Sequence, residues 1–475
     1  MDVTRFKMTN IGQFAQVDIP LAPTSKTPSN VTVLVGNNGS GKTSILTSMG
    51  ISLSWLVAAC FNQQNTGSNI AGGLIKKGQT SGSLGIEVTG SHNPNDTYHW
   101  LLSKTLDGNI APTPALTPEL TQAQANLAEV AKLADVYRSQ FTEDNTASFP
   151  LIAFYTAERF VNNVALEIKK SPTGNQLAAY ENALGRTTNF EQFFEWFRER
   201  EDIENETASP IQLTEQLAFD VVTAAMKAAQ VDISDDEIRT AAEQMISNQQ
   251  NAENDKQLSA VRNAIKAFMP GLNNLRVRRS PVLHMSVEKA GLTFSVEQLS
   301  QGEKVLMALV GDIARRLAIL NPSFDNPLHG DGIVLIDEAD LHLHPQWQRT
   351  FIARLTQTFP NCQFVLTTHS PLLISDSKDV LCYLLDNGEL EPIEDLYGLD
   401  ANQVLLQVMN TDVRNSQVNN QINQLLSQLQ SGHLEAAQDT FNQLSTELPK
   451  GHIELAKANL MIRKLELRRE KNRQE

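Results

Sequence analysis

The chain is 475 residues long, 41% apolar and 6% aromatic, with a formal charge of −15 at neutral pH. That length buries a large core and allows roughly two to four domains. The acidic balance excludes a protein coated with nucleic acid on every face, while leaving room for a local basic groove.

In chain order, Phe6, Met8, Ile11, Phe14, Val17 and Ile19 fall in two short alternating segments around Asn10-Ile-Gly12, which predicts an antiparallel hairpin. The opening Met1-Asp-Val-Thr-Arg-Phe6 has no apolar signal-like run. Val31 to Val35 is an apolar, β-branched run suited to a buried parallel strand, and Ile45 to Ala59 is long enough for a helix. Between them lies Gly36-Asn37-Asn38-Gly39-Ser40-Gly41-Lys42-Thr43-Ser44, a P-loop. Its glycines let backbone N–H groups converge on phosphate oxygens, Lys42 can reach the β- and γ-phosphates, and the Thr43 hydroxyl can ligate Mg²⁺. The helix N-terminus adds partial positive charge. ATP and Mg²⁺ are therefore the expected ligands.

The most apolar helix, Ile45 to Cys60, carries several serines and is expected to fall short of a membrane span. Cys60, Cys362 and Cys382 lack metal-ligand spacing; reduced thiols in a cytoplasmic protein without membrane segments are expected. Ser83 to Thr89 and Thr97 to Lys104 alternate as strands around the turn-rich Ser91 to Asp96. Ala111 to Pro118 punctuates the chain, and Glu119 to Thr142 reads as an amphipathic helix. Pro150 to Arg159 is an apolar strand that places Glu158 and Arg159 at its C-terminal end, the ligand edge of an open α/β sheet. From Val161 to about Arg279 the pattern is mainly helical. Phe190, Phe193, Phe194, Trp196 and Phe197 have helix-face spacing and read as the core of a helical insertion rather than a base-stacking platform. Arg262, Lys266, Arg276, Arg278 and Arg279 form a basic run in and after its last helix, a solvated face by preference over a grip on DNA.

Leu299-Ser-Gln-Gly-Glu303 precedes a periodic helix from about Lys304 to Leu320, and Ser300 with Glu303 is also a capping box. Gly332-Ile-Val-Leu-Ile-Asp337-Glu338 is a strand ending in two carboxylates, the first suited to Mg²⁺ and the second to activating water. Gln363 to His369 ends another strand in a histidine placed to sense a γ-phosphate. His342 and His344 have no third ligand nearby in sequence, so a metal site there is not expected.

In this order and spacing the P-loop, Leu299-Ser-Gln-Gly-Glu303, Ile333 to Glu338, Asp340 and His369 resemble an ABC-type ATPase of the branch containing the SMC, Rad50 and RecF proteins. The resemblance implies an α/β fold: an ABC-type P-loop ATPase head with a mixed β-sheet, a helical insertion and a C-terminal helical module. It also implies that the signature residues Ser300, Gln301, Gly302 and Glu303 act in trans on ATP held by the P-loop of a second protomer, so that a homodimer or higher homo-oligomer shares the sites. By the same carry-over Lys42 and Thr43 bind phosphate and metal, Asp337 ligates Mg²⁺, Glu338 activates water and His369 senses the γ-phosphate. No glutamine marks a clear Q-loop; the strand ending at Glu158 and Arg159 is the expected place.

Glu338-Ala-Asp-Leu-His-Leu-His-Pro345 resembles OLD-like ATPases, while Phe193 to Glu201 and Leu396 to Leu405 are similar to PtuA-type ATPases of Septu and retron-associated antiviral systems. That resemblance implies a regulatory ATPase beside a separate HNH-type (PtuB-like) nuclease, with DNA, or a retron reverse transcriptase with its DNA, as further partners. A RecF/Rad50-like DNA-repair ATPase is the alternative. An OLD-type nuclease would need a Toprim domain after the ATPase, whereas residues 396–475 read as helices without an Asp-x-Asp pair, so no nuclease activity of its own is expected. The domain division follows as an N-lobe at 1–104, an insertion at 105–279 that lends the strand near 150–157 to the core sheet, a C-lobe at 280–395 and a helical module at 396–475. Leu425, Leu426 and Leu429, then Ala437, Phe441 and Leu444, then Leu455, Leu460, Ile462 and Leu465 give that module apolar faces, either to cover the ATPase core or to dock the nuclease.

Overall fold

The computed structural model describes residues 1–62, 65–90, 96–106, 118–161, 164, 166, 175–185, 188–207, 215–228, 234, 237–243, 255–394, 396–408, 416–449 and 451–474. Except for Asp96 and Pro118, the turn at 91–96 and the punctuation at 111–118 lie outside them, as do parts of the insertion. Two units are present, Met1–Gly398 and Leu399–Glu475.

β1 (Asp2–Ile11) and β2 (Phe14–Pro20) mix buried and exposed residues in the manner of strands covered on one face, and pair antiparallel around Gly12, whose φ of +58° suits glycine. β3 (Val31–Gly36) is buried at all six residues, the pattern of a strand covered on both faces. β4 (Ser81–Thr89) and β5 (Thr97–Thr105) complete a four-stranded antiparallel sheet in the order β2-β1-β4-β5. β6 (Leu151–Tyr155) follows the helix Pro118–Glu143, and beyond it β7 (Arg159–Phe160) and β8 (Thr188–Asn189) form a short parallel pair.

β9 (Leu272–Arg278), β10 (His284–Lys289) and β11 (Leu292–Ser295) make a three-stranded antiparallel sheet. β9 corrects the helical reading of the segment before Arg279. Its second half alternates buried Leu275 and Val277 with exposed Arg276 and Arg278, a period of two. β12 (Gly332–Ile336), β13 (Cys362–Thr368), β14 (Leu381–Asp386) and β15 (Glu389–Ile393) complete the main sheet, which runs β15-β14-β3-β13-β12-β6. All its pairings are parallel except β14 with β15. The C-terminal ends of β3, β6, β12 and β13 therefore meet at one edge.

Among the described residues one helix, Lys42–Phe61, is long and apolar enough to cross a membrane, at 20 residues, which corrects the expectation that this segment falls short. The helix follows the P-loop, and 56% of its most apolar window is buried inside the protein, as in a core helix. Three of the four aromatic residues of helix Glu191–Thr207 are core as well, and Trp196 is half-buried. Phe193, Phe194 and Phe197 are fully buried, and the Phe193 ring lies so close to Gly311 that a Cβ there would stand 2.5 Å from it.

The helix Gln301–Leu320 carries a buried ionic knot. Asp312 accepts from Arg315 (2.7 Å), Arg316 (2.7 Å) and the Tyr155 hydroxyl (2.8 Å). Burial alone would raise its pKa, but the two guanidiniums win and hold it at about 2. Removing one member of a buried pair strands the other charge, so Asp312→Ala is expected to cost roughly 3–5 kcal/mol, read as a lowered unfolding midpoint in denaturant. Because the folded pKa lies below the ordinary carboxylate value, this contribution is present above about pH 4 and is lost as pH falls toward 2.

Of the basic run, Arg262 pairs with Glu204 (2.8 Å) and Glu201 (3.0 Å) and lies over the Phe197 ring at 5.6 Å, and Arg279 pairs with Asp202. Lys266, Arg276 and Arg278 stay exposed. All three cysteines are free and buried; burial pushes the Cys60 and Cys382 thiols up to about 12 and raises that of Cys362 too.

In the second unit, helices Ser416–Gln430, Leu434–Glu447 and Ile453–Gln474 pack on one another around Ile422, Leu425, Leu429, Ala437, Leu444, Ala458 and Ile462. They have a core of their own. Ile453, Leu460 and Leu467, spaced by seven, remain 69%, 68% and 66% exposed on the last helix.

Candidate functional site

Each strand end at the shared edge delivers one part of the site. β3 delivers the P-loop, where Gly39 (φ +81°) and Gly41 (φ +95°) take left-handed conformations. Side chains are excluded here on steric grounds as well. A Cβ on Gly36 would meet the Leu385 carbonyl oxygen at 2.4 Å, and one on Gly41 the Phe14 ring at 2.7 Å. Lys42 folds back over the loop, donating from Nζ to the carbonyls of Gly36 (2.8 Å) and Asn37 (3.0 Å). Desolvation lowers its pKa, opposed by the carboxylates of Asp337, Glu338 and Asp340.

β12 delivers Asp337 and Glu338. The Thr43 hydroxyl donates to Asp337 Oδ2 at 2.9 Å, which brings together the two side chains named for the metal from positions far apart in the chain. An oxygen pair of this kind fits Mg²⁺, which takes one or two protein oxygens and fills its octahedron with phosphate and water. Asp337 Oδ1 accepts from Thr367 Oγ1 (2.6 Å), and the same hydroxyl receives the Glu338 N–H (2.7 Å). Glu338 has φ +46°, unusual for a residue with a side chain.

β13 delivers His369. Its pKa is lowered by burial and by the Lys42 charge, against the pull of Asp340, Glu338 and Asp337, which favours the neutral ring at pH 7. The Asp340 carboxylate accepts from Thr368 Oγ1 and from the His369 N–H (3.2 Å). Gln348 Nε2 donates to the Leu343 carbonyl (3.0 Å) and its Oε1 accepts from Ser370 (2.7 Å), tying the segment after Glu338 to the end of β13.

The signature residues lie at the start of a different element, helix Gln301–Leu320. Ser300 and Glu303 form a complete capping box, and Lys289 Nζ donates to Glu303 at 2.6 Å. Burial pushes the Glu303 carboxyl up, but these hydrogen bonds outweigh it and hold the pKa below the ordinary value. Ser300 is exposed, Gln301 and Gly302 are half-buried, and a Cβ on Gly302 would fall 2.2 Å from the His342 carbonyl oxygen. The helix that begins with the signature thus touches the segment following Asp340. His344 caps helix Pro345–Thr358 through Nδ1, and no group of three His, Cys, Asp or Glu able to hold a metal occurs among the described residues.

Three contributors carried no recognisable sequence signal of their own. Thr367, Thr368 and Gln348 act through hydrogen bonds set by tertiary packing. Glu158 and Arg159, expected to end the strand, lie beyond it because β6 stops at Tyr155; Glu158 is exposed, whereas Arg159 opens β7 and turns inward under the Asp337–Glu338 backbone.

The family model described as "AAA domain, putative AbiEii toxin, Type IV TA system" matches residues 169–375. The Retron Vc95 probable ATPase of Vibrio cholerae serotype O1 biovar El Tor is 32% identical over 84% of this chain and 78% of its own length. The Retron Ec83 probable ATPase of Escherichia coli is 35% identical over 76% of this chain and 68% of its own. The Septu protein PtuA of Bacillus mycoides (strain KBAB4) is 41% identical over a shorter stretch, 20% of this chain and 13% of its own.

Proposed function

The chain belongs to the family of the retron probable ATPases, and from that premise we propose that it is the ATP-binding and ATP-hydrolysing regulatory subunit of a prokaryotic antiviral defence system, controlling a separate HNH-type nuclease. The observation that carries the ATPase reading is the contact of Thr43 with Asp337, made where the ends of β3, β12 and β13 converge.

Backbone N–H groups from Gly36 to Ser44 and the Lys42 ammonium bind the phosphates. Thr43 and Asp337 would hold Mg²⁺, which when bound would supply neutralisation of the phosphate charge. Glu338 takes a proton from water as its oxygen attacks the γ-phosphorus; the bond to the β-phosphate oxygen breaks, and ADP and phosphate leave. His369 senses the γ-phosphate. Ser300 and Gly302 complete the site of a second protomer, so hydrolysis is slow until two chains meet.

Docking of the nuclease falls to the C-terminal unit. Its helices already cover one another, and the apolar stripe of Ile453, Leu460 and Leu467 remains exposed. Such a face suits a helix-in-groove partner. Deleting residues 410–475 is expected to leave ATP binding intact and to abolish co-purification of the nuclease from the native host. A truncated, folded protein that still captures the nuclease would overturn the docking role. The same capture reports on DNA, which Lys266, Arg276 and Arg278 would hold in a salt-sensitive way; DNA retained at high salt would remove that assignment.

A further inference from the structure

Arg159 is 1% exposed, yet it lies at the site rather than in an apolar core. Its guanidinium donates to three main-chain carbonyls: Thr156 (3.1 Å), Asp337, and Glu338 (2.6 Å). Two of these belong to the acidic pair at the end of β12, and the second, Glu338, has the left-handed backbone. A non-glycine residue held there is strained and keeps that conformation only where its surroundings impose it. Thr367 grips this backbone from one side through the Glu338 N–H, and Arg159 grips it through the two carbonyls. The planar fork of an arginine reaches acceptors spread along a backbone in fixed directions, whereas the three donors of a lysine ammonium radiate from one atom.

We propose that Arg159 is a positioning residue for hydrolysis, whose guanidinium fixes the peptide backbone of Asp337 and Glu338 so that the Glu338 carboxylate is aimed at the attacking water. This rests on the ATPase reading above, in which Glu338 is the base. In this role Arg159 acts through Glu338, by its contacts with the two carbonyls. It also opens β7, whose partner β8 leads into the helix Glu191–Thr207, so the grip originates at the root of the insertion.

The test compares Arg159→Lys and Arg159→Gln with the intact full-length chain for ATP affinity, kcat and melting temperature, alone and combined with Glu338→Gln. Both single variants are expected to lose at least tenfold in kcat, while the dissociation constant for ATP changes less than about threefold, because the groups that bind phosphate are untouched. Arg159→Lys keeps the charge and should rescue little. In the Glu338→Gln background neither substitution should lower the residual rate further, since the group it aims is gone. An additive loss in the double variants, a weakened ATP affinity with unchanged kcat, full rescue by lysine, or failure of both single variants to fold would each overturn the proposal. The parent reading fails separately, if Glu338→Gln alone hydrolyses ATP at the wild-type rate.

Discussion

Glu338→Gln is expected to lower the rate of ATP hydrolysis by about 10²- to 10⁴-fold, the range a general base contributes, with ATP binding preserved. The amide keeps the shape of the carboxylate but cannot accept the proton of the attacking water. The backbone contacts at this position, from Thr367 and Arg159, do not involve the side chain and survive the substitution. The check is single-turnover hydrolysis beside equilibrium binding of a labelled nucleotide. Hydrolysis near the wild-type rate would place the base elsewhere.

The second large effect concerns two variants that should each be inactive alone and recover when mixed. Lys42→Ala removes the ammonium proposed to meet the phosphates and is expected to abolish ATP binding. Ser300→Arg replaces a small exposed hydroxyl at a helix start with a long cationic side chain and also forfeits an N-cap, worth typically ~1 kcal/mol. In a two-fold dimer that shares its sites, a mixed pair holds one site with an intact P-loop facing an intact signature. Random exchange at equal concentrations makes half the dimers mixed, so hydrolysis should return to about a quarter of the wild-type level. Absence of recovery after demonstrated subunit exchange would show that each chain works alone.

The parts of the site that follow local rules were legible in the sequence. Glycine spacing, a buried β-branched run and a helix to follow identify the P-loop, and Asp337, Glu338 and His369 each close a short apolar strand. A parallel sheet then brings those ends to one edge, which the motif order implies but no single segment states. The roles of Thr367, Gln348 and Arg159 were harder to read because they depend on partners 22 to 178 residues away in the chain. β9 escaped for another reason: arginines at 276, 278 and 279 suit a helix end as well as a strand edge, and pairing with β10 decides between them. In the C-terminal module helical spacing revealed apolar faces, while their mutual packing, and so the stripe left over on the last helix, appears only in three dimensions.

The burial of the three cysteines has a practical corollary in chemical reactivity. A thiol alkylates through its anion, and at neutral pH side chains whose pKa has been driven to about 12, as at Cys60 and Cys382, present almost none; Cys362 is pushed the same way. Labelling of the native chain by maleimides is therefore expected to be slow. A single cysteine introduced at an exposed position such as Leu460 would be the dominant labelling point, so a fluorophore or spin label can be installed there without first stripping the protein of its own sulfhydryls.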